Sequence, residues 1–116
     1  MNYLIENVDY QQNIEKIGIN VEDFVNENPI LLPMLLAAPA IIKKYIPDAT
    51  FELSHNTDFE EGNSTLYLTI FTDLLRLERL QAENSLIKDL SFRVFIRDKE
   101  VFSIFTFNIE NRYQQF

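Results

Sequence analysis

The chain has 116 residues, 47% hydrophobic and 24% charged side chains, no cysteine and a formal net charge of -8. That is enough for one domain with its own core over residues 1–116, and it excludes a disordered chain, disulfides, thiolate metal sites and a cysteine nucleophile. The charge disfavours phosphate backbones, and it is uneven: residues 1–75 hold three basic and twelve acidic side chains, residues 76–116 seven and six.

The first twelve residues lack the basic-then-apolar order of a secretory signal. Leu4, Val8, Ile14 and Ile17 have a loose helical spacing, which predicts a helix over residues 3–17 interrupted by the polar run at 9–13. Asn20 then reads as an N-cap with Glu22 and Asp23 in the first turn, where acidic groups suit the helix dipole, for a short helix to about Asn26. Residues 28–42 carry no charge. They fall short of the roughly 20 apolar residues of a membrane span and contain Pro33 and Pro39, so a buried core segment of a cytoplasmic protein is expected. The prolines predict two short helices within residues 30–46, the second presenting Ile41, Ile42, Tyr45 and Ile46 on one side, and Pro47 ends it.

From Thr50 the period changes from helical to two. Phe51, Leu53 and His55 share one face of a strand, and Leu66, Leu68 and Ile70 share one face of the next, with a polar loop at 57–64 between them. Asp73 predicts the cap of a helix whose apolar stripe is Leu74, Leu77, Leu80, Ile87 and Leu90. Residues 91–97 and 101–109 alternate again around Asp98 and Lys99, which predicts a second hairpin. The expected fold is α+β: N-terminal helices, then two antiparallel β-hairpins separated by a helix, forming a four-stranded antiparallel sheet with helices on one face.

No catalytic, cofactor or metal set is expected. Asp58, Glu60, Glu61 and Asn63 cluster in the first hairpin loop, but Gly62 is fifth from Asp58 where an EF-hand loop has glycine sixth, and Thr69 stands where its glutamate would. A solvated turn is the better reading. His55 is the only histidine, and Ser54 beside it points to the other strand face, so the two do not act together. Two glycines in the whole chain cannot build a phosphate-cradling loop. An enzyme would need a carboxylate-based site, and no motif marks one.

The most informative feature is the second face of the expected sheet. If Leu66, Leu68, Ile70, Phe92, Val94 and Ile96 pack under the helices, then Tyr67, Phe71, Phe95, Phe102 and Ile104 point outward with Arg93 and Arg97. An apolar face rimmed by charge marks an interface with a protein partner, a second copy included, unless the chain's own ends fold over it. Stacked nucleic-acid bases are a poorer fit, because the glycine-aromatic strand motif is missing and the net charge opposes them.

Lys44, Tyr45, Ile46, Pro47, Asp48 and Ala49, followed by a strand, an acidic stretch and a second strand over residues 66–72, resemble a pattern in a group of small bacterial proteins frequent in cyanobacteria. The resemblance covers residues 40–73 and implies no established activity, only an analogy with accessory or antitoxin-like partners. The expected function is therefore a small protein-interaction or regulatory protein that self-associates as a homo-oligomer through the outer sheet face. The alternative is an acidic inhibitor, of immunity or antitoxin type, that masks a basic partner such as a nuclease with Glu52, Asp58, Glu60 and Glu61. No cofactor, nucleic-acid or membrane partner is expected.

Overall fold

A computed structural model describes residues 9–58 and 60–113, so the first part of the helix expected over residues 3–17 lies outside the described residues. Its second part is not an α-helix. Asp9 caps a single 3-10 turn, Tyr10–Asn13, by accepting from the Gln11 N–H at 2.8 Å. The chain then runs as a two-residue strand, β1 (Lys16–Ile17), because Glu15 and Gly18 donate their N–H groups to the Phe51 and Leu53 carbonyls. A Cβ on Gly18 would sit 3.3 Å from that Leu53 oxygen, which suits glycine to so close an approach.

Helix α1 (Val21–Glu27) follows Asn20, whose left-handed backbone (φ 69°) turns the chain and whose side chain makes no cap bond. A 3-10 turn, Pro29–Leu31, leads into α2 (Leu32–Lys43). Two short helices were expected here, but α2 is continuous: Pro33 lies in its first turn, where the missing N–H has no helical partner to lose, and Pro39 is tolerated inside a segment held by burial of Met34, Leu35, Ala38, Ile41 and Ile42. No single helix among the described residues is long and apolar enough to cross a membrane.

Strands β2 (Thr50–Asp58) and β3 (Asn63–Thr72) form the expected antiparallel hairpin, closed where Gly62, at φ +74°, donates to the Asp58 carbonyl. The second expected hairpin does not exist. Residues 91–96 belong to helix α4 (Leu90–Ile96), residues 99–102 to the short α5 (Lys99–Phe102), and only β4 (Phe105–Asn111) is a strand. The sheet has the order β1-β2-β3-β4 and is mixed: β2 and β3 are antiparallel, whereas β1 runs parallel to β2 and β4 parallel to β3.

The reason is local. Asp89 and Asp98 each accept from two N–H groups of the following turn, at Ser91 and Phe92 and at Glu100 and Val101, so each starts a helix where alternation alone reads as strand and turn. With helices α3 (Arg76–Lys88), α4 and α5 as the connection, β4 returns in the direction of β3, as a helical crossover requires. Each half of the molecule is thus a strand, helices and a parallel strand, and the two halves join at the β2–β3 hairpin.

The register places Phe51 and Leu53 of β2, Leu66, Leu68 and Ile70 of β3, and Phe105, Phe107 and Ile109 of β4 on one face, where they meet Leu31, Met34, Leu35, Ile42, Leu86 and Phe92 in a single core. One end of the sheet is clasped. The Thr72 hydroxyl, fully buried, donates to Asp48 Oδ1 at 2.6 Å, the Asp73 N–H donates to Asp48 Oδ2 at 2.7 Å, and Arg112 reaches Asp48, Asp73, the Thr50 hydroxyl and the Phe71 carbonyl. Burial pushes the Asp48 carboxyl up, but these donors outweigh it and hold the group below its ordinary range. Replacing Thr72 by Val keeps the shape and removes the buried donor, and urea unfolding should register a loss of about 1–3 kcal/mol; a loss of under about 0.5 kcal/mol would mean that the clasp is incidental.

Candidate functional site

The residues expected to form one outer sheet face are divided by the mixed topology. Tyr67 and Phe71 do stand on the face turned away from the helices, beside Thr50, Ser54, Thr69, Thr106 and Asn108, and that face is polar. Arg93 and Phe95 lie on α4, Arg97 caps its C-terminal end, Phe102 is the last residue of α5, and Ile104 belongs to the turn before β4. Phe95 and Ile104 pack against the core, while Phe102 is 69% exposed.

The acidic set is divided as well. Glu52 pairs with Lys16 at 3.6 Å, whereas Asp58 shapes the hairpin turn by accepting from the Glu60 and Glu61 N–H groups. Glu52 and Asp58 are six steps apart along the strand, a distance of about 20 Å. His55 faces the helices and stacks on Phe24 with ring centroids 4.7 Å apart, on the opposite side of the strand from Ser54. Asp23, Glu27 and Ser64 border it, but among the described residues no group of three or more histidine and acidic side chains converges on one point.

The surface that stands out lies elsewhere, between α3 and β4. Helix α3 is built from good helix formers and begins where the Leu75 N–H donates to Glu78 Oε1. Of the expected inward stripe Leu74 packs against the core, but Leu77, Leu80, Ile87 and Leu90 point the other way: they are 73%, 47%, 38% and 75% exposed, and α3 buries only Ala82 and Leu86. Arg76, Leu80, Glu83 and Ile87 share one face at helical spacing, and that face looks across a groove at β4. Arg76, Arg79, Leu80 and Glu83 face Ile109, Glu110 and Asn111 at one end, and Glu83 and Ile87 face Ile96, Phe102 and residues 105–107 at the other.

The strand on the far wall of this groove is an edge. Leu66 takes the Ile104 carbonyl and Arg112 donates to the Thr72 carbonyl, which sets the parity of the ladder: residues 104, 106, 108, 110 and 112 turn their backbone groups to β3. The N–H and C=O groups of Phe105, Phe107, Ile109 and Asn111 therefore turn outward, where no strand among the described residues pairs with them. Apolar side chains and unpaired backbone donors and acceptors thus lie side by side. The groove's charged residues, Arg76, Arg79, Glu83 and Glu110, form no ion pair among the described residues.

A second charged cluster sits behind α4. The Tyr45 hydroxyl donates to Asp89 Oδ2 at 2.5 Å and Lys44 approaches the same oxygen at 2.9 Å, while the other carboxylate oxygen caps α4. The Tyr45 hydrogen bond, then Lys44, hold Asp89 down at about 2, and the hydrogen bond to Asp89 in turn pushes the Lys44 and Tyr45 groups up. This joins the end of α2 to the start of α4. Comparison with family models, with curated proteins and with solved structures finds no match.

Two outcomes follow from these positions. Leu80→Glu and Phe102→Glu should leave the unfolding free energy within about 0.5 kcal/mol of the parent, whereas Leu86→Ala should cost about 2–5 kcal/mol; a large loss in the first two would make the groove part of the core. Because the folded Asp89 is depressed to about 2, its contribution is present above the ordinary carboxylate pKa and is lost as pH falls from about 4 toward 2. Carboxyl NMR titration of Tyr45→Phe should show the Asp89 midpoint moving up.

Proposed function

We propose that this chain is a small interaction or regulatory protein, and that the groove between α3 and β4 is where it meets a protein partner. One observation carries the reading: α3 buries Leu86 but leaves Leu80 and Ile87 beside a strand edge whose outward backbone groups pair with no strand among the described residues. Covering a leucine or isoleucine completely is worth about 1.5–3 kcal/mol, and Leu80 and Ile87, 47% and 38% exposed, leave part of that driving force unused in the single chain. Exposed apolar side chains mark an interface when they are contiguous, and Leu80 on one side of Glu83 and Ile87 with Phe102 on the other line adjoining depressions along β4. An extended segment added at the edge would gain backbone hydrogen bonds, with the groove reading its side chains. The absence of cysteine suits a reducing cytoplasm.

A photoreactive phenylalanine analogue placed at Leu80 or Phe102 should form protein adducts in cells, while the same analogue at Asn56, exposed on the other sheet face, should not. Adducts at Asn56 alone, or at none of the three, would sink the proposal.

A further inference from the structure

We infer that the occupant of the β4 edge is a second copy of this chain, paired β4 to β4 in antiparallel fashion about a twofold axis at Asn108, so that two four-stranded sheets become one of eight strands. The inference rests on the reading of the α3–β4 groove as a docking surface and names what fills it.

The strand's own geometry sets the register. β4 spans Phe105–Asn111, and full overlap of two copies puts Asn108, its middle residue, on the axis. Phe107 then faces the partner's Ile109, so the outward backbone groups at the accessible centre of one strand oppose those of the other, whereas Phe105 and Asn111 at its ends are 3% and 4% exposed. On the opposite face Glu110 lies across from Thr106, and no charge on the strand meets its like. Nothing blunts this edge in the usual ways. It carries no proline and no lysine, and its ladder with β3 runs without a bulge from Leu66 to Thr72.

Charge confines self-association to this face. Two copies of a chain with a net charge of -8 repel over most of their surfaces. The groove is an exception, because its two arginines, Arg76 and Arg79, balance Glu83 and Glu110. Helix α3 runs antiparallel to β4, with Arg76 level with Asn111 and Ile87 level with Phe105, so pairing the strands also lays α3 beside its twofold mate. Leu80, Ile87 and Phe102, which line the groove beside that strand, would leave water in the pairing. The other edge of the sheet fits this role badly: β1 covers only Glu52 and Leu53, and the rest of β2 ends in Asp58 and has Asp23 and Glu27 beside it, acidic groups that two copies would bring together.

The absence of cysteine makes a clean test. In the proposed dimer Asn108 is a non-hydrogen-bonded antiparallel pair, with Cα atoms about 4.5 Å apart, a separation that a disulfide spans. Mild oxidation should convert Asn108→Cys almost wholly to a covalent dimer and leave Asn56→Cys mostly monomeric. Light scattering from about 1 µM to about 1 mM should find the natural protein at twice 13.7 kDa, and Asn108→Lys, which sets two cations on the axis, should weaken association by about tenfold or more with an unchanged circular dichroism spectrum. Raising the salt from about 0.01 to about 0.15 M should tighten the dimer by screening its net repulsion. A natural protein that stays monomeric throughout overturns the inference, and adducts of another mass at Leu80 would then show the groove serving a different protein. A dimer indifferent to Asn108→Lys, with no cross-link at Cys introduced there, overturns the β4 pairing. Loss of adducts at Leu80 and Phe102 would remove the docking surface itself.

Discussion

A single carboxylate, that of Asp48, holds together three parts of the chain that are far apart in sequence. It receives the buried Thr72 hydroxyl at the end of β3, the Asp73 N–H just beyond it, and Arg112 after β4, while Asp48 itself sits just before β2. Charge-assisted hydrogen bonds of this kind fix geometry as well as adding energy. Where β3 ends decides where α3 can begin, and Asn111 repeats the device by donating to the Asp73 and Leu74 carbonyls. The position of α3 over the edge of the sheet, and so the groove, depends on this one corner.

Much of the architecture was legible where periodicity was unambiguous. The β2–β3 hairpin, the buried segment at 28–42 and the short helix after Asn20 follow from spacing and punctuation. Residues 91–97 mislead because aromatic and β-branched side chains at alternate positions satisfy a strand and a short helix equally well; Phe92, Phe95 and Ile96 also meet the helical spacing. The deciding signal was Asp89 and Asp98, each two residues before the N–H groups it caps. Strand direction was not legible at all, since parallel pairing is a property of the crossover and not of the strand's own residues.

The interaction surface was misread for a related reason. Leucines at helical spacing in α3 imply a buried stripe, yet Arg76 and Glu83 share the face of Leu80 and Ile87, and a face so mixed cannot be core. Ala82 and Leu86 are the contacts that the core accepts. The outer sheet face, expected to be apolar, turned polar once its supposed aromatic members were taken up by α4 and α5. Tyr67 and Phe71 remain there, flanked by threonines.

The long connection from β3 to β4 has a bearing on how the chain reaches this structure. The β2–β3 hairpin closes through neighbours in sequence, whereas β4 meets β3 only after the whole of residues 73–104 has been gathered into helices, and such non-local pairing is entropically late. Until that moment β3 presents the vacant side that β4 will occupy, and β4 of another molecule fits it as well as the chain's own. Crowded synthesis would therefore offer exchange of the last strand between neighbours, a swapped assembly in which every native contact is kept and only its ownership changes.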